Sequence, residues 1–207
     1  KVDVVSGPPY PVLDPRVRLV KLPSLDLYAR EMTRFGFPLP PLKEMKTFAD
    51  YYEYFAHFTG KFGEPYTFGE RLYHYMKTRL HEYDVIHDNQ TLCWGLVKLQ
   101  KMGIPVAGTI HHPITMDRQI AIDAADSLKL NLLTRRWYHF LSMQKKVSRL
   151  LDPIIVVSES TKRDVSKDFG IPPERMDVVY HGIHSEKWRP QPEIHSSEHE
   201  TNAHTSA

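Results

Sequence analysis

The chain has 207 residues, of which 41% are hydrophobic and 25% charged, values typical of a soluble globular domain with one substantial core. Its formal net charge of +2 is too small to indicate a nucleic acid as partner, and no apolar run approaches the roughly 20 residues that cross a bilayer, which excludes a membrane-spanning protein. The single cysteine, Cys93, excludes an internal disulfide and a cysteine-based zinc site, so we expect a reducing, cytoplasmic setting.

Short runs rich in valine and isoleucine predict strands that are buried on both faces. These runs cover residues 2–5, 17–22, 83–87, 105–110, 153–157 and 176–180. Segments with helical spacing lie between most of them, which is the alternation expected of βαβ units. The predicted fold class is therefore α/β, with the strands in one parallel, Rossmann-like sheet flanked by helices.

Residues 23–66 interrupt this rhythm and predict an elaborated crossover, rich in proline early and in aromatic residues later. The aromatic residues have helical spacing and are Phe48, Tyr51, Tyr52, Phe55, Phe58 and Phe62. Core packing beneath a loop is the favoured interpretation, and a hydrophobic surface for an acceptor or a membrane is the alternative. The lysines that flank the stripe are accompanied by Glu44, Asp50, Glu53 and Glu64, and this mixed charge argues against an anionic membrane.

Helix signals follow in chain order. Thr67 and Glu70 have capping-box spacing and predict a helix that begins there and leads to the third strand. Residues 128–151 predict one long amphipathic helix, and Ser158 and Gly170 predict the ends of a later one. Residues 191–207 are polar and predict a disordered tail behind a domain at residues 1–190.

Polar residues follow the predicted strands at their carboxyl ends, where open α/β sheets bind ligands. The candidates for substrate binding are Asp88, Asn89 and Gln90 after the third strand, His111 and His112 after the fourth, and His181 after the last. Imidazole and amide groups can both donate to and accept from hydroxyl groups, so these residues suit a sugar or an alcohol. The plainer alternative is a set of ordinary loop residues.

Other chemistry finds little support in the sequence. His111 and His112 are adjacent and would point to opposite sides of a strand end, which argues against a zinc site, and no metal-binding motif is present. Cys93 has apolar neighbours and is expected to be buried and inert. No glycine-rich phosphate loop and no carboxylate pair suited to hydrolysis can be picked out, so we predict neither a metal nor a cofactor.

Several segments together resemble glycosyltransferase family 4, whose members have the two-domain GT-B fold. The strongest are IIVVSESTKRD at residues 154–164, FGIPPER at 169–175 and VVYHGI at 178–183, which are followed by WRP at 188–190. They resemble the passage from the last helix of the N-terminal domain into the interdomain linker. DVIHDNQ at 84–90 and GTIHHP at 108–113 are similar to the family's strand ends.

The resemblance implies that the chain is the N-terminal, acceptor-side half of a retaining glycosyltransferase. Such an enzyme moves a sugar from a nucleotide-sugar donor to a hydroxyl of a glycan, lipid or small-molecule acceptor. His111 matches a histidine that contacts the donor sugar near its anomeric carbon and is the implied catalytic residue, with Asp88 and His112 as neighbours in the cleft. A peripheral position at the inner face of the membrane is a further alternative for the protein's location.

The sequence also departs from the family pattern. It starts at what resembles the family's second strand, and the absent first strand would lie near the centre of the sheet. His181-Gly182 stands where the linker commonly reads Asn-Gly. The nucleotide-binding C-terminal domain is not in this sequence, so we expect the chain alone to be inactive. A nucleotide-sugar epimerase and a noncatalytic sugar- or lipid-binding half-domain remain as alternatives.

Overall fold

The computed structural model describes residues 1–31, 40, 42–183, 185, 186 and 188. The strands are β1 (Asp3–Ser6), β2 (Arg18–Lys21), β3 (Ile86–Asn89), β4 (Val106–Ile110), β5 (Ile154–Val156) and β6 (Met176–Val178). The α-helices are α1 (Phe48–Phe58), α2 (Glu64–Met76), α3 (Trp94–Lys101), α4 (Thr115–Asp123), α5 (Leu128–Trp137), α6 (Leu141–Ser148) and α7 (Glu159–Phe169). The six predicted strands and the α/β class are confirmed, whereas the predicted tail at 191–207 lies outside the described residues.

Within the described residues the strands are all parallel, as predicted, and the predicted single sheet is divided into two. β1 pairs with β2, and the other sheet has the order β3-β4-β5-β6. A backbone ladder requires strands roughly 4.8 Å apart. Residues of the carboxyl ends of β1 and β3 both line one cavity, and no ladder joins the two strands. The Tyr83 hydroxyl, which donates to the Asp3 carboxylate over 3.0 Å, links the two sheets near their other end.

The hydrophobic core lies mainly around the four-stranded sheet. β4 and β5 are buried along most of their length, and α3, α6 and α7 cover them with leucine, valine and phenylalanine side chains. β3 alternates between exposed and more buried positions, as expected of an edge strand. The central strands β4 and β5 therefore stabilise the fold, whereas the carboxyl end of β3 is exposed enough to contact a ligand.

Two helix predictions are corrected. α2 begins at Glu64, with Pro65 in its first turn, and the Thr67 hydroxyl lies inside the helix and donates to Glu53. Proline is well suited to a first turn because it has no N–H to leave unsatisfied, so it takes precedence over the capping-box spacing. The predicted long helix at 128–151 is divided by a 3-10 turn, Tyr138–Phe140. The tighter turn rotates the apolar face, so Leu141 and Val147 are buried whereas Leu133 and Trp137 are exposed.

Helix α1 has its polar and apolar faces reversed relative to the core. Its buried side chains are Ala49, Asp50, Glu53 and Ala56, and its exposed aromatic side chains are Phe48, Tyr51, Phe55 and Phe58. The favoured interpretation of the aromatic stripe as core is therefore wrong for these four residues. The physical reason is Arg71 of α2, whose guanidinium lies 2.5 Å from Glu53 and 2.6 Å from Asp50, so the carboxylates are drawn inward.

The described helices were compared with the length and apolar character of a membrane-spanning helix. Among the helices of the described residues, none combines the length and the apolar character needed to cross a bilayer.

Candidate functional site

The site is built at the carboxyl ends of β3 and β4, where the chain leaves each strand. β4 ends at Ile110, so the next residue, His111, lies at the edge of the sheet with its main chain held on both sides. The His111 amide donates to Gln90 Oε1 over 2.6 Å, and its carbonyl oxygen accepts from the Thr161 hydroxyl over 3.3 Å. Two neighbouring elements therefore fix the position of this histidine before its ring makes any contact.

The His111 ring forms part of a chain of three polar side chains. Its Nε2 lies 2.6 Å from Asn89 Oδ1, and its Nδ1 lies 3.2 Å from His181 Nε2. The two imidazole rings are stacked, with centroids 5.2 Å apart and an interplanar angle of 17°. Because the Asn89 carbonyl oxygen can only accept, His111 carries its proton on Nε2 and accepts at Nδ1 from His181.

The surroundings of His111 favour its neutral form. Burial lowers the pKa of His111, and the neighbouring imidazoles of His181, His112 and His87 lower it further, because each would repel a second positive charge. A neutral imidazole has one donor and one acceptor, which is the combination that binds hydroxyl groups of a sugar. The ring is therefore suited to contact a polyol at neutral pH.

Gln90 is a bridge between the two strand ends. Its side chain accepts from the His111 amide and donates to the His112 carbonyl oxygen over 2.7 Å, while its own carbonyl oxygen accepts from Gln144 over 3.1 Å. Its φ of 66° lies in the left-handed region, which is uncommon for a residue with a side chain. In the described structure Gln90 therefore holds the turn in place, and substrate binding by its side chain stays a prediction.

Asp88 lies beneath the turn and is only 5% exposed. One carboxylate oxygen accepts from the Thr91 hydroxyl and the other from the Leu92 amide at 2.9 Å, which stabilises Leu92 at its φ of 46°. Burial raises the pKa of Asp88, and these two hydrogen bonds oppose the rise. The side chain is thus engaged within the loop, and its contact with substrate stays a prediction.

His112 and His181 differ in their relation to His111. The His112 side chain is 63% exposed and lies 3.2 Å from Asp117 at the start of α4, so it does not share in the chain of contacts around His111. His181 is also exposed, yet it stacks directly on His111. The structure therefore brings together Asn89, His111 and His181, with Gln90 supporting them.

A cavity of about 580 Å³ opens beside this cluster, between the carboxyl ends of the two sheets. Its lining includes residues 4–8 and 22–24, the first turns of α2, and Asn89, Gln90 and Thr91. Phe62, Phe68 and Phe140 supply rings, and Glu64, Arg71 and Gln144 supply polar groups. Cavities of this size, apolar with a few polar groups, are typical of small-molecule sites.

Two polar residues of the cavity, Glu64 and Gln144, were not predicted from the sequence as site residues. Burial raises the pKa of Glu64 to about 7, with Glu53 and Asp26 adding to the rise and Arg71 opposing it. Gln144 is 3% exposed, and its Oε1 accepts no hydrogen bond from the described residues. A signal for Gln144 did exist, since it shares a helix face with the buried Leu141 and Val147, where a polar residue is unusual.

Neither Cys93 nor a metal-binding group contributes reactive side chains to the described part of the site. Cys93 is buried, as predicted, and burial raises the pKa of its thiol to about 12. Within the described ranges, no group of three or more histidine, cysteine, aspartate or glutamate side chains is arranged to hold a metal ion. The expectation that neither a metal nor a cofactor takes part stays a prediction.

The fold and the site together define a Rossmann-like α/β domain with a polar cluster and a cavity at the carboxyl edge of its strands. The chain belongs to Glycosyltransferase Family 4, whose model matches residues 2–187. It is 44% identical, over 191 residues, to the MMP alpha-(1->4)-mannosyltransferase of Mycolicibacterium hassiacum. That match covers 92% of this chain and 46% of the relative, so the chain spans about half of the relative's length.

Proposed function

We propose that this chain forms the acceptor-side half of a glycosyltransferase that moves a sugar from a nucleotide-sugar donor to an acceptor hydroxyl, with retention of the anomeric configuration. Membership of Glycosyltransferase Family 4 supports transfer, and the relative's name suggests mannose as the sugar. The observation that carries the proposal is the position of His111, held between Asn89 and His181 at the edge of the sheet.

His111 acts in this proposal as a hydrogen-bonding contact to the donor sugar and not as a nucleophile. Both ring nitrogens are engaged by protein groups at 2.6 and 3.2 Å, so a sugar hydroxyl would replace Asn89 or His181 as a partner. The exchange keeps the number of hydrogen bonds and adds no charge, because the ring is neutral. Asn89 and His181 would then turn to neighbouring hydroxyls of the same sugar.

The cavity is the proposed position of the acceptor. It lies next to Asn89 and Gln90, so an acceptor seated in it would present a hydroxyl to the sugar held at His111. Glu64 and Gln144 supply hydrogen-bonding groups, and the phenylalanine rings suit the apolar faces of a sugar ring. Binding in these two positions removes the translational and rotational freedom of donor and acceptor before the reaction begins. The entropy cost of bringing them together is then not part of the barrier to transfer.

The remaining part of the reaction requires groups that the described residues do not offer. Departure of a nucleoside diphosphate develops negative charge, and donors directed at that charge usually supply the largest share of the acceleration. We place these groups in a nucleotide-binding C-terminal domain and therefore propose that residues 1–207 alone are inactive. The split between β1 and β3 also supports the proposal that a further strand belongs between the two sheets in the complete fold.

The two alternatives are less well supported. The family and the relative's name both concern transfer, which favours neither a nucleotide-sugar epimerase nor a noncatalytic binding domain. Product analysis separates the three: a glycoside product indicates transfer, an epimerised nucleotide sugar indicates epimerisation, and bound but unchanged sugar indicates a binding domain.

The decisive experiment uses the longer protein that this proposal requires, in which the chain is joined to a nucleotide-binding C-terminal domain. His111→Ala should lower the rate of mannosyl transfer from a nucleotide-activated mannose roughly two- to tenfold, because a neutral hydrogen bond of about 0.5 to 1.5 kcal/mol is lost in the transition state. His81→Ala is the matched control, since His81 is exposed in a 3-10 turn away from the cluster. Equal rates for the two variants would remove His111 from the site.

A further inference from the structure

Gln144 carries a buried hydrogen-bond acceptor that no described group of the chain satisfies. The side chain is 3% exposed and lines the cavity, and its Oε1 accepts no hydrogen bond from the described residues. Asp3 Oδ1 and Gln100 Oε1 also lack a partner among these residues, but neither residue lines the cavity. Leaving a buried acceptor unpaired is costly, so such an atom in the lining of a cavity indicates that a ligand supplies the donor.

The orientation of the Gln144 amide is set by its nitrogen. Nε2 donates to the carbonyl oxygen of Gln90 over 3.1 Å and to that of Thr91 over 3.4 Å. Turning the amide over would place Oε1 against these two oxygens, and acceptors cannot bond to one another. The hydrogen bonds of the chain itself therefore leave Oε1 as the unpaired atom, and Oε1 can only accept.

The charges around the cavity indicate that this ligand is uncharged. Arg71 is the one basic residue among the described residues that line the cavity, and its guanidinium lies 2.5 Å from Glu53 and 2.6 Å from Asp50. Burial and the carboxylates of Glu53 and Asp26 raise the pKa of Glu64, which also lines the cavity. An anionic ligand would bring a further negative charge among these carboxylates, and no lining residue offers a free cation to receive it.

The apolar part of the lining suits a sugar ring. Phe62, Phe68 and Phe140 all line the cavity. A hexose has apolar C–H groups on the faces of its ring and hydroxyl groups around its edge. It can therefore pack on phenylalanine side chains while one hydroxyl donates to Gln144 Oε1.

We propose that Gln144 determines acceptor specificity, because its Oε1 accepts a hydrogen bond from one hydroxyl of an uncharged sugar in the cavity. This inference rests on the proposed function, in which the same cavity holds the acceptor. The Gln144 amide also holds the carbonyl oxygen of Gln90, whose side chain supports His111, so one residue joins the acceptor to the turn beside the donor sugar. Gln144 is thus a binding residue and not a catalytic one.

Binding of simple sugars to the 207-residue chain tests the proposal without any transfer reaction. The probe is methyl α-mannoside, an uncharged hexose whose hydroxyl groups can be removed singly in a series of monodeoxy analogues. We expect one of these analogues to bind roughly tenfold more weakly than methyl α-mannoside, because it leaves Gln144 Oε1 unpaired in the complex. Isothermal titration calorimetry measures the affinities.

Gln144→Met separates contact with the sugar from support of the turn. Methionine has a similar volume but a much weaker hydrogen-bonding group, so this variant should bind methyl α-mannoside roughly tenfold more weakly and no better than it binds that analogue. A residue that only supported the turn would weaken binding of every sugar by one factor and preserve the discrimination. Gln100→Met is the matched control and should keep the wild-type pattern, because Gln100 Oε1 also lacks a described partner but the residue lies outside the cavity lining.

Two further measurements complete the test. The 6-phosphate of methyl α-mannoside should bind at least tenfold more weakly than the uncharged sugar at about pH 8, because no free cation lines the described part of the cavity. NMR of the wild-type chain covers the case in which circular dichroism shows that Gln144→Met is unfolded. The side-chain amide signal of Gln144 should shift on titration with methyl α-mannoside and shift markedly less with the weakly bound analogue.

The proposal is overturned if methyl α-mannoside does not bind, if Gln144→Met discriminates among the sugars as the wild type does, or if the 6-phosphate binds as tightly as the uncharged sugar. A Gln144 amide signal that responds equally to methyl α-mannoside and to every analogue also overturns it. None of these results decides whether the longer protein transfers a sugar, which the rates of the His111→Ala and His81→Ala variants test separately.

Discussion

Helices α1 and α7 have the same length of 11 residues and the same kind of N-terminus, yet they bury opposite kinds of side chain. Thr47 accepts from the third amide of α1, and Ser158 does so for α7. α7 then buries Val165 and Phe169 beneath the four-stranded sheet and exposes its charges. α1 buries Asp50 and Glu53 and exposes aromatic rings.

The difference shows that a helix and the face it buries have separate causes. Caps and helix-forming residues act within a few positions of one another, so each helix begins where its local sequence directs. The buried face depends on the element that packs against it. α7 meets an apolar sheet, whereas α1 meets α2 and the guanidinium of Arg71, which is buried enough to require carboxylate partners.

Truncation of one phenylalanine in each helix gives the largest contrast. Phe169→Ala should lower the free energy of unfolding by about 3 to 5 kcal/mol, because Phe169 is fully buried and its removal leaves a cavity in the core. Phe55→Ala should change it by less than about 0.5 kcal/mol, because that ring is 63% exposed. Urea denaturation measures both, and similar losses in the two variants would contradict the reversed orientation of α1.

Removal of the buried carboxylate of α1 should have the next largest effect. Glu53→Ala leaves the Leu25 amide, the Thr67 hydroxyl and part of Arg71 without an acceptor and should cost about 3 kcal/mol of unfolding free energy. Glu70→Ala is the control, since Glu70 forms a surface ion pair with Lys98 that is worth at most about 1 kcal/mol. Equal losses in the urea series would show that Glu53 does not act as a buried anchor.

Glu64 should give the smallest effect, which depends on pH. Its pKa rises from 4.5 to about 7 in the folded chain, so the folded state holds a proton that the unfolded state releases between these values. Stability from this group is therefore present below pH 4.5 and lost as pH rises through about 7.

Glu64→Gln should flatten this part of the pH profile. Relative to wild type it should gain on the order of 1 kcal/mol between pH 5 and pH 8, a value discounted because Glu64 is partly exposed. Thermal unfolding at both pH values measures the difference. A variant whose stability parallels the wild type across this range would show that Glu64 titrates normally.

The candidate site was partly readable from the sequence. Histidine and amide residues at strand ends could be found because parallel strands place their carboxyl ends at one edge, and Asn89, His111 and His181 do meet there. The contributions of Gln90 and Asp88 could not be read, because they depend on backbone dihedrals and burial in a turn. The raised pKa of Glu64 could not be predicted from the sequence, because it depends on burial and on neighbours that are distant in sequence.

The sequence by itself determined the six strands, the α/β class and the caps of α7, because these depend on hydrophobic runs and on contacts within a few residues. The tertiary structure decided the division into two sheets, the break at Tyr138–Phe140 and the outward aromatic face of α1. Each of these depends on a partner far along the chain, such as Arg71 for Glu53. A residue's burial is a property of what packs against it, and periodicity alone cannot tell whether that partner is an apolar sheet or a guanidinium.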